Sequence, residues 1–177
     1  ADASGWPHAI VGYADFTVAD VRPQLDRLAA YPLIRGLRQQ FHWHETPLYR
    51  FAQRADLATD PVVQSNVRHL AGYGWAFDLQ VFAGQMAGAA ELARACPGVT
   101  FVLQHAGMLE DTSGGGWAAW RAGMKHLAAC PNVVSKLSAF GTFIHRNDPA
   151  FIADMVAETV GIFGAERCLF GSNFPIE

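Results

Sequence analysis

Charge is scarce in this chain of 177 residues. Lys, Arg, Asp and Glu together make up 16% of it, against 51% hydrophobic residues. That balance excludes a disordered polymer and points to a deeply buried sheet. The formal net charge is −3 and no basic run occurs, which argues against a nucleic-acid or anionic-membrane partner. No apolar stretch reaches the roughly 18 residues that a membrane helix requires. The opening ADASGWPH has no basic segment ahead of an apolar core, so no secretory signal is visible. Ala1 rather than Met stands first, as after removal of an initiator. Cysteine is sparse too: Cys96, Cys130 and Cys168 are far apart and form no CxxC. The expectation is reduced, mostly buried thiols in a cytoplasmic protein. Repeats, low-complexity segments and linkers are missing as well, so one domain over 1–177 is expected.

What is present is alternation. Apolar runs that read as strands cover 9–14, 33–38, 75–80, 99–103, 133–138 and 167–171. Between them lie segments with helical spacing. Val21, Leu25 and Leu28 form one such stripe, with Pro23 tolerated in the first turn. A second helix should span 62–71 after Asp60-Pro61, and the helix carrying Met86, Ala90 and Leu92 stops at Cys96-Pro97-Gly98. Gly114-Gly115-Gly116 lacks a following lysine or a GxGxxG spacing, so it reads as a flexible loop opening a helix and not as a phosphate cradle. Asp148-Pro149 reads as a cap and first helical position, and Gly164 as the stop. Six strands alternating with helices predict a parallel α/β sheet. An open doubly wound sheet and part of a (β/α) barrel both fit. A complete barrel takes about 250 residues and eight strands, so the expected form is a partial TIM-type barrel of about six parallel strands.

In parallel α/β folds the carboxyl ends of the strands carry the chemistry. Here those ends deliver Asp15, Arg38, Gln80, His105, Lys136 with Ser138, and Asn173. Six strands each delivering polar groups to one rim predict a pocket. Arg38 and Lys136 suit a carboxylate or a developing oxyanion, although Lys136 could instead answer Asp78, itself read as a supporting residue. The triplet His42-Trp43-His44 has the HxH spacing of a metal pair, but it lies beyond its strand. It is therefore read as a rim element that touches substrate.

The runs IRGLRQQFHWH, FDLQ, FVLQHAGM, CPNVVSKLS and RCLFGSNFPIE, in this order, resemble the amidohydrolase-related family (amidohydrolase 2). These are TIM-barrel, often metal-dependent hydrolases, and they include fuconolactonase and 2-pyrone-4,6-dicarboxylate lactonase. The resemblance covers 10–177. It implies a barrel whose first strand, with an HxH pair, lies before residue 1 and whose C-terminal part is truncated. It further implies a hydrolase that opens a lactone or small cyclic ester with activated water. His105 and Asn173 would be catalytic and, with the upstream HxH pair, ligands of a divalent metal such as zinc. Arg38, Gln80, Lys136, His42 and His44 would bind a small, carboxylate-bearing substrate. Many members read GSDWP where this chain has Gly171-Ser172-Asn173-Phe174-Pro175. The amide cannot take a proton near neutral pH, but its oxygen can coordinate or orient water. Glu177 is then the nearest carboxylate that could act as base. The alternatives are non-oxidative decarboxylation of an aromatic acid, or an inactive fragment that binds a small molecule. Unpaired barrel edges predict aggregation or a homo-oligomer.

Overall fold

The computed structural model describes residues 5–176, so Glu177 lies outside the described residues. Six strands form one sheet: β1 (Ile10–Tyr13), β2 (Ile34–Arg38), β3 (Ala76–Leu79), β4 (Phe101–Leu103), β5 (Val133–Leu137) and β6 (Cys168–Phe170). Their order across the sheet is their order in sequence, and every neighbouring pair is parallel. A doubly wound sheet reverses its strand order at a switch point. This one never does, so its strands are laid side by side like the staves of a barrel. Among the described residues no ladder joins β6 to β1.

The helices are α1 (Arg22–Ala29), α2 (Pro61–Arg68), α3 (Leu70–Tyr73), α4 (Met86–Ala95), α5 (Gly114–Ala128) and α6 (Pro149–Phe163). Their starts follow the local chemistry. Asp60 accepts from the amides of Val62 and Val63, and Asp148 from that of Phe151, each ahead of a proline in the first turn. The expected helix over 62–71 is in fact two, because the chain steps at His69 and then leaves α3 through Gly74 at φ 66°. The glycine run is a correction. Ser113 accepts from Gly116 N at 3.1 Å, so Gly114-Gly115-Gly116 is the first turn of α5 and not a loop. A side chain at Gly116 would collide with the Asp111 backbone, which explains why that turn carries no Cβ there.

Side-chain alternation divides the sheet into two faces. Leu37, Phe77, Leu79, Phe101, Leu103 and Val133 point to the helices and are buried. They meet Leu25, Val67, Leu92, Trp120, Met124 and Phe163 in one core. Phe77 anchors its middle, with ring contacts to Phe16, Phe41 and Phe101. Cys96 and Cys130 are buried free thiols and Cys168 is half-buried. The opposite face carries Arg38, Asp78, Val102, Val134 and Lys136. At the two edges of the sheet Val11, Tyr13, Leu169 and Phe170 stand exposed. Among the described residues no helix is long and apolar enough to cross a membrane.

Candidate active site

The inner face holds a charge network that the strand register builds. Arg38 and Asp78 are direct cross-strand partners in the β2–β3 ladder. Arg38 donates to Asp78 Oδ2 through Nη2 at 2.6 Å and Nε at 3.2 Å. Lys136 Nζ approaches the same oxygen at 3.8 Å from β5. Gln104 locks the group together: its Oε1 accepts from Arg38 Nη2 and Lys136 Nζ, both at 3.1 Å, while its amide donates to Val102 O. Two cations share one carboxylate, so the cluster keeps a surplus positive charge. Asp78 and Gln104 are buried. Asp78 engages Arg38 as well as Lys136. Neither cation is free-standing in the way a dedicated carboxylate clamp would be.

His105 sits directly above this cluster. The chain leaves β4 through a tight turn, Gln104–Gly107, in which His105, Ala106, Gly107 and Met108 all have positive φ. Such backbone is unfavourable for side-chain-bearing residues and persists only where the surroundings hold it. Trp120 of α5 provides that hold, donating its indole N–H to Ala106 O at 2.8 Å. Gly107 adopts its φ of 75° without strain, and a Cβ there would have to displace the end of the Met86 side chain. The turn swings His105 off the strand line so that Nδ1 meets Ser138 Oγ at 2.9 Å. That contact joins the ends of β4 and β5.

A cavity of about 430 Å³ opens above the sheet and is lined by Arg38, His42, Gln80, His105 and Asn173, among others. These are five of the seven residues proposed from the sequence. Lys136 lies beneath it in the network. His44 points elsewhere: its Nδ1 accepts from Thr46 N, its Nε2 is 3.9 Å from Glu110 Oε1, and Phe82 stands against its ring. Asp15 also turns away, bonded to Thr17 and Gln39 beside a separate cavity. His42 is no lip residue. It is buried between Phe51 and Phe82. Tyr49, Phe143 and His145 line the cavity and escaped the sequence reading, because they lie in loops without periodicity.

Burial lowers the pKa of both pocket imidazoles to about 4, and for His105 the nearby Arg38 and Lys136 add to burial. Both are therefore neutral at neutral pH. An unfolded histidine takes its proton near 6.5, whereas these wait until about 4. Their contribution to stability is complete above 6.5 and is lost as pH falls towards 4, at up to about 1.4 kcal/mol per pH unit for each histidine. Thermal melts should show Tm falling between about pH 6.5 and pH 4.5, and His42→Phe should make that fall shallower. An unchanged pH slope in the variant would place His42 in contact with solvent.

Among the described residues no three His, Cys, Asp or Glu side chains come together as a metal site. The cavity offers neutral imidazoles and amides, and its nearby carboxylate, Asp78, is committed to two cations. A catalytic zinc takes three protein ligands. The described residues alone do not fit one.

A parallel sheet wound in a single direction, with a largely apolar pocket over its strand ends into which a few polar groups converge, is the architecture of a barrel-type enzyme scaffold. The chain belongs to the amidohydrolase family, whose model matches residues 1–177. It is 37% identical over 177 residues to an uncharacterized protein of Sinorhizobium fredii, covering 100% of this chain and 59% of that one. It is 30% identical to an L-fucono-1,5-lactonase of Burkholderia ambifaria, covering 95% of this chain and 55% of the relative. A crystal structure of an amidohydrolase from Burkholderia multivorans with bound zinc superposes with a TM-score of 0.80 at 26% identity, over 99% of this chain and 61% of that one. The chain thus spans somewhat under two thirds of the length of these relatives.

Proposed function

We propose that the protein hydrolyses a small lactone, with a hydroxylated sugar lactone as the first substrate to test. The observation that carries this reading is His105, held neutral above a cationic cluster and lining a cavity at the strand ends. The similarity to a fuconolactonase supports it. In lactone opening, water attacks the ring carbonyl, the ring C–O bond breaks, and the departing oxygen takes a proton to give a hydroxy acid. Negative charge grows on the carbonyl oxygen. The surplus charge of Arg38 and Lys136 over Asp78 favours that change, because it acts in a partly dehydrated site. The same charge would hold a substrate carboxylate if one is present. His105 is always unprotonated at neutral pH. Its contact with Ser138 fixes the ring, so that the remaining nitrogen can bond to water or to the carbonyl. Gln80 and Asn173 supply amides that orient water and substrate.

No step of this scheme passes through a metal. A divalent ion would need ligands beyond the described residues, such as the HxH pair that the family resemblance implies upstream of residue 1. Metal content measured by plasma mass spectrometry, with activity before and after chelation, answers that point directly. Hydrolysis of L-fucono-1,5-lactone, followed by acid release, tests the main reading. No turnover of any lactone, together with carbon dioxide release from an aromatic acid, would replace it with the decarboxylase reading.

Asn173 yields a sharper result. It lines the cavity in the left-handed conformation, φ 57°, a conformation asparagine and aspartate both tolerate. Asn173→Asp therefore changes charge with little change in shape. The new carboxylate would offset the cationic cluster and favour protonation of His105. We expect kcat/KM to fall by about tenfold or more, equivalent to about 1.4 kcal/mol. A gain in activity would show instead that the site lacks its base.

A further inference from the structure

We propose that Tyr49 and His145 form the specificity-determining pair of this cavity, reading a hydroxyl on the substrate ring. This rests on the lactone reading and adds residues to it. Tyr49 lies in a short 3-10 turn, Pro47–Tyr49, in the loop that follows β2. His145 lies in the loop that follows β5, and a backbone φ of 53° turns it towards Tyr49. The Tyr49 hydroxyl and His145 Nε2 are 2.8 Å apart, and the two rings are nearly parallel at 6.2 Å. Phe143 and Phe82 pack on Tyr49 from the sides, at 5.7 and 6.3 Å. Tyr49, Phe143 and His145 all line the cavity that holds His105 and Asn173.

Two features make this wall selective. Its rings present an apolar surface against which one face of a six-membered ring can lie. The phenol oxygen is a fixed polar point on this wall, oriented by the imidazole. If the hydroxyl donates to Nε2, its oxygen still accepts from a ligand O–H. If Nε2 carries the proton and donates, the phenol proton is left for a ligand oxygen. In both tautomers one hydrogen-bonding direction is available to the ligand. A ring hydroxyl can serve either case, since it donates and accepts, whereas an unsubstituted lactone offers only its ester oxygens, which accept but cannot donate. Tyr49 is half-buried and His145 exposed, so both can be changed without opening the core.

The test compares Tyr49→Phe and His145→Ala with the unaltered protein on two lactones of one ring size, L-fucono-1,5-lactone and δ-valerolactone. Loss of one neutral hydrogen bond predicts a KM about fivefold to tenfold higher for the hydroxylated ring, with kcat within about twofold. Kinetics on δ-valerolactone should shift much less than those on the hydroxylated ring, because that substrate has no ring hydroxyl for the phenol to bond. His145→Gln, which can still bond to the phenol, should restore much of the affinity. Equal effects on both lactones, or a loss confined to kcat, would overturn the assignment. The same variants are titrated with L-fucose, a non-reacting ring, by calorimetry. If the unaltered protein opens no lactone, the lactone reading fails, but a fivefold weaker Kd for L-fucose in Tyr49→Phe still supports the pair. Unchanged or undetectable sugar binding in that case would overturn the pair as well.

Discussion

Replacing Asp78 by alanine is expected to destabilise the protein more than any other single change in the pocket region. Asp78 is buried, with 4% of its side chain accessible, and it is the carboxylate shared by Arg38 and Lys136. Removing one partner of a buried pair costs about 3–5 kcal/mol, because the remaining charge is left uncompensated. Here the cations are 37% and 25% exposed and can recover some hydration. The expected loss is therefore about 2–3 kcal/mol. It would appear as a lower denaturation midpoint at unchanged m-value. The variant should also drive the pKa of His105 lower still, since the cationic charge beneath it is no longer offset. A loss below about 0.5 kcal/mol, the range of ordinary surface substitutions, would mean that the network is solvated and does not organise the inner face.

The second large effect is on turnover. His105→Ala should lower kcat by about a hundredfold or more, the usual range for a group that acts on a proton in the transition state. Stability near neutral pH should be largely kept, because among the described residues the one hydrogen bond of the His105 ring is to Ser138. His42→Ala should instead act mainly on affinity, since His42 is packed between aromatic rings beside the cavity. The pH profile separates the two buried histidines from one with an ordinary pKa, and the two variants separate His105 from His42. Under the proposed lactonase reading the neutral form of His105 is the active one, and its pKa is pushed down to about 4. Thus kcat/KM should stay level from about pH 8 down to about pH 5 and fall only as pH nears 4. A break near 6.5 would assign the reaction to a histidine with an ordinary pKa, and normal turnover in both variants would move the site elsewhere.

Some of this was readable in the chain alone. Six apolar runs separated by helical stripes predict a parallel α/β sheet, because both periodicities arise from local backbone geometry and a one-sided core. The caps at Asp60 and Asp148 and the stop at Gly164 are equally local. The placement of Arg38, Gln80, His105 and Asn173 around one cavity follows from strand direction, since parallel strands end on the same rim.

Other features needed the folded chain. The sequence contains Arg38, Asp78 and Gln104, but only the ladder register decides that Arg38 is bound to residues 40 and 66 positions away. The glycine run becomes a helical turn because Ser113 caps it and Asp111 crowds it. The left-handed turn that aims His105 depends on Trp120 from the next helix. Tyr49 and His145, separated by 96 residues in two irregular loops, show no periodic signal at all. The division has one physical reason. Secondary structure and capping are settled by hydrogen bonds within a few residues, and composition registers them. Which polar groups meet across a sheet or between loops depends on register and loop closure, and these are decided by the packing of the whole core.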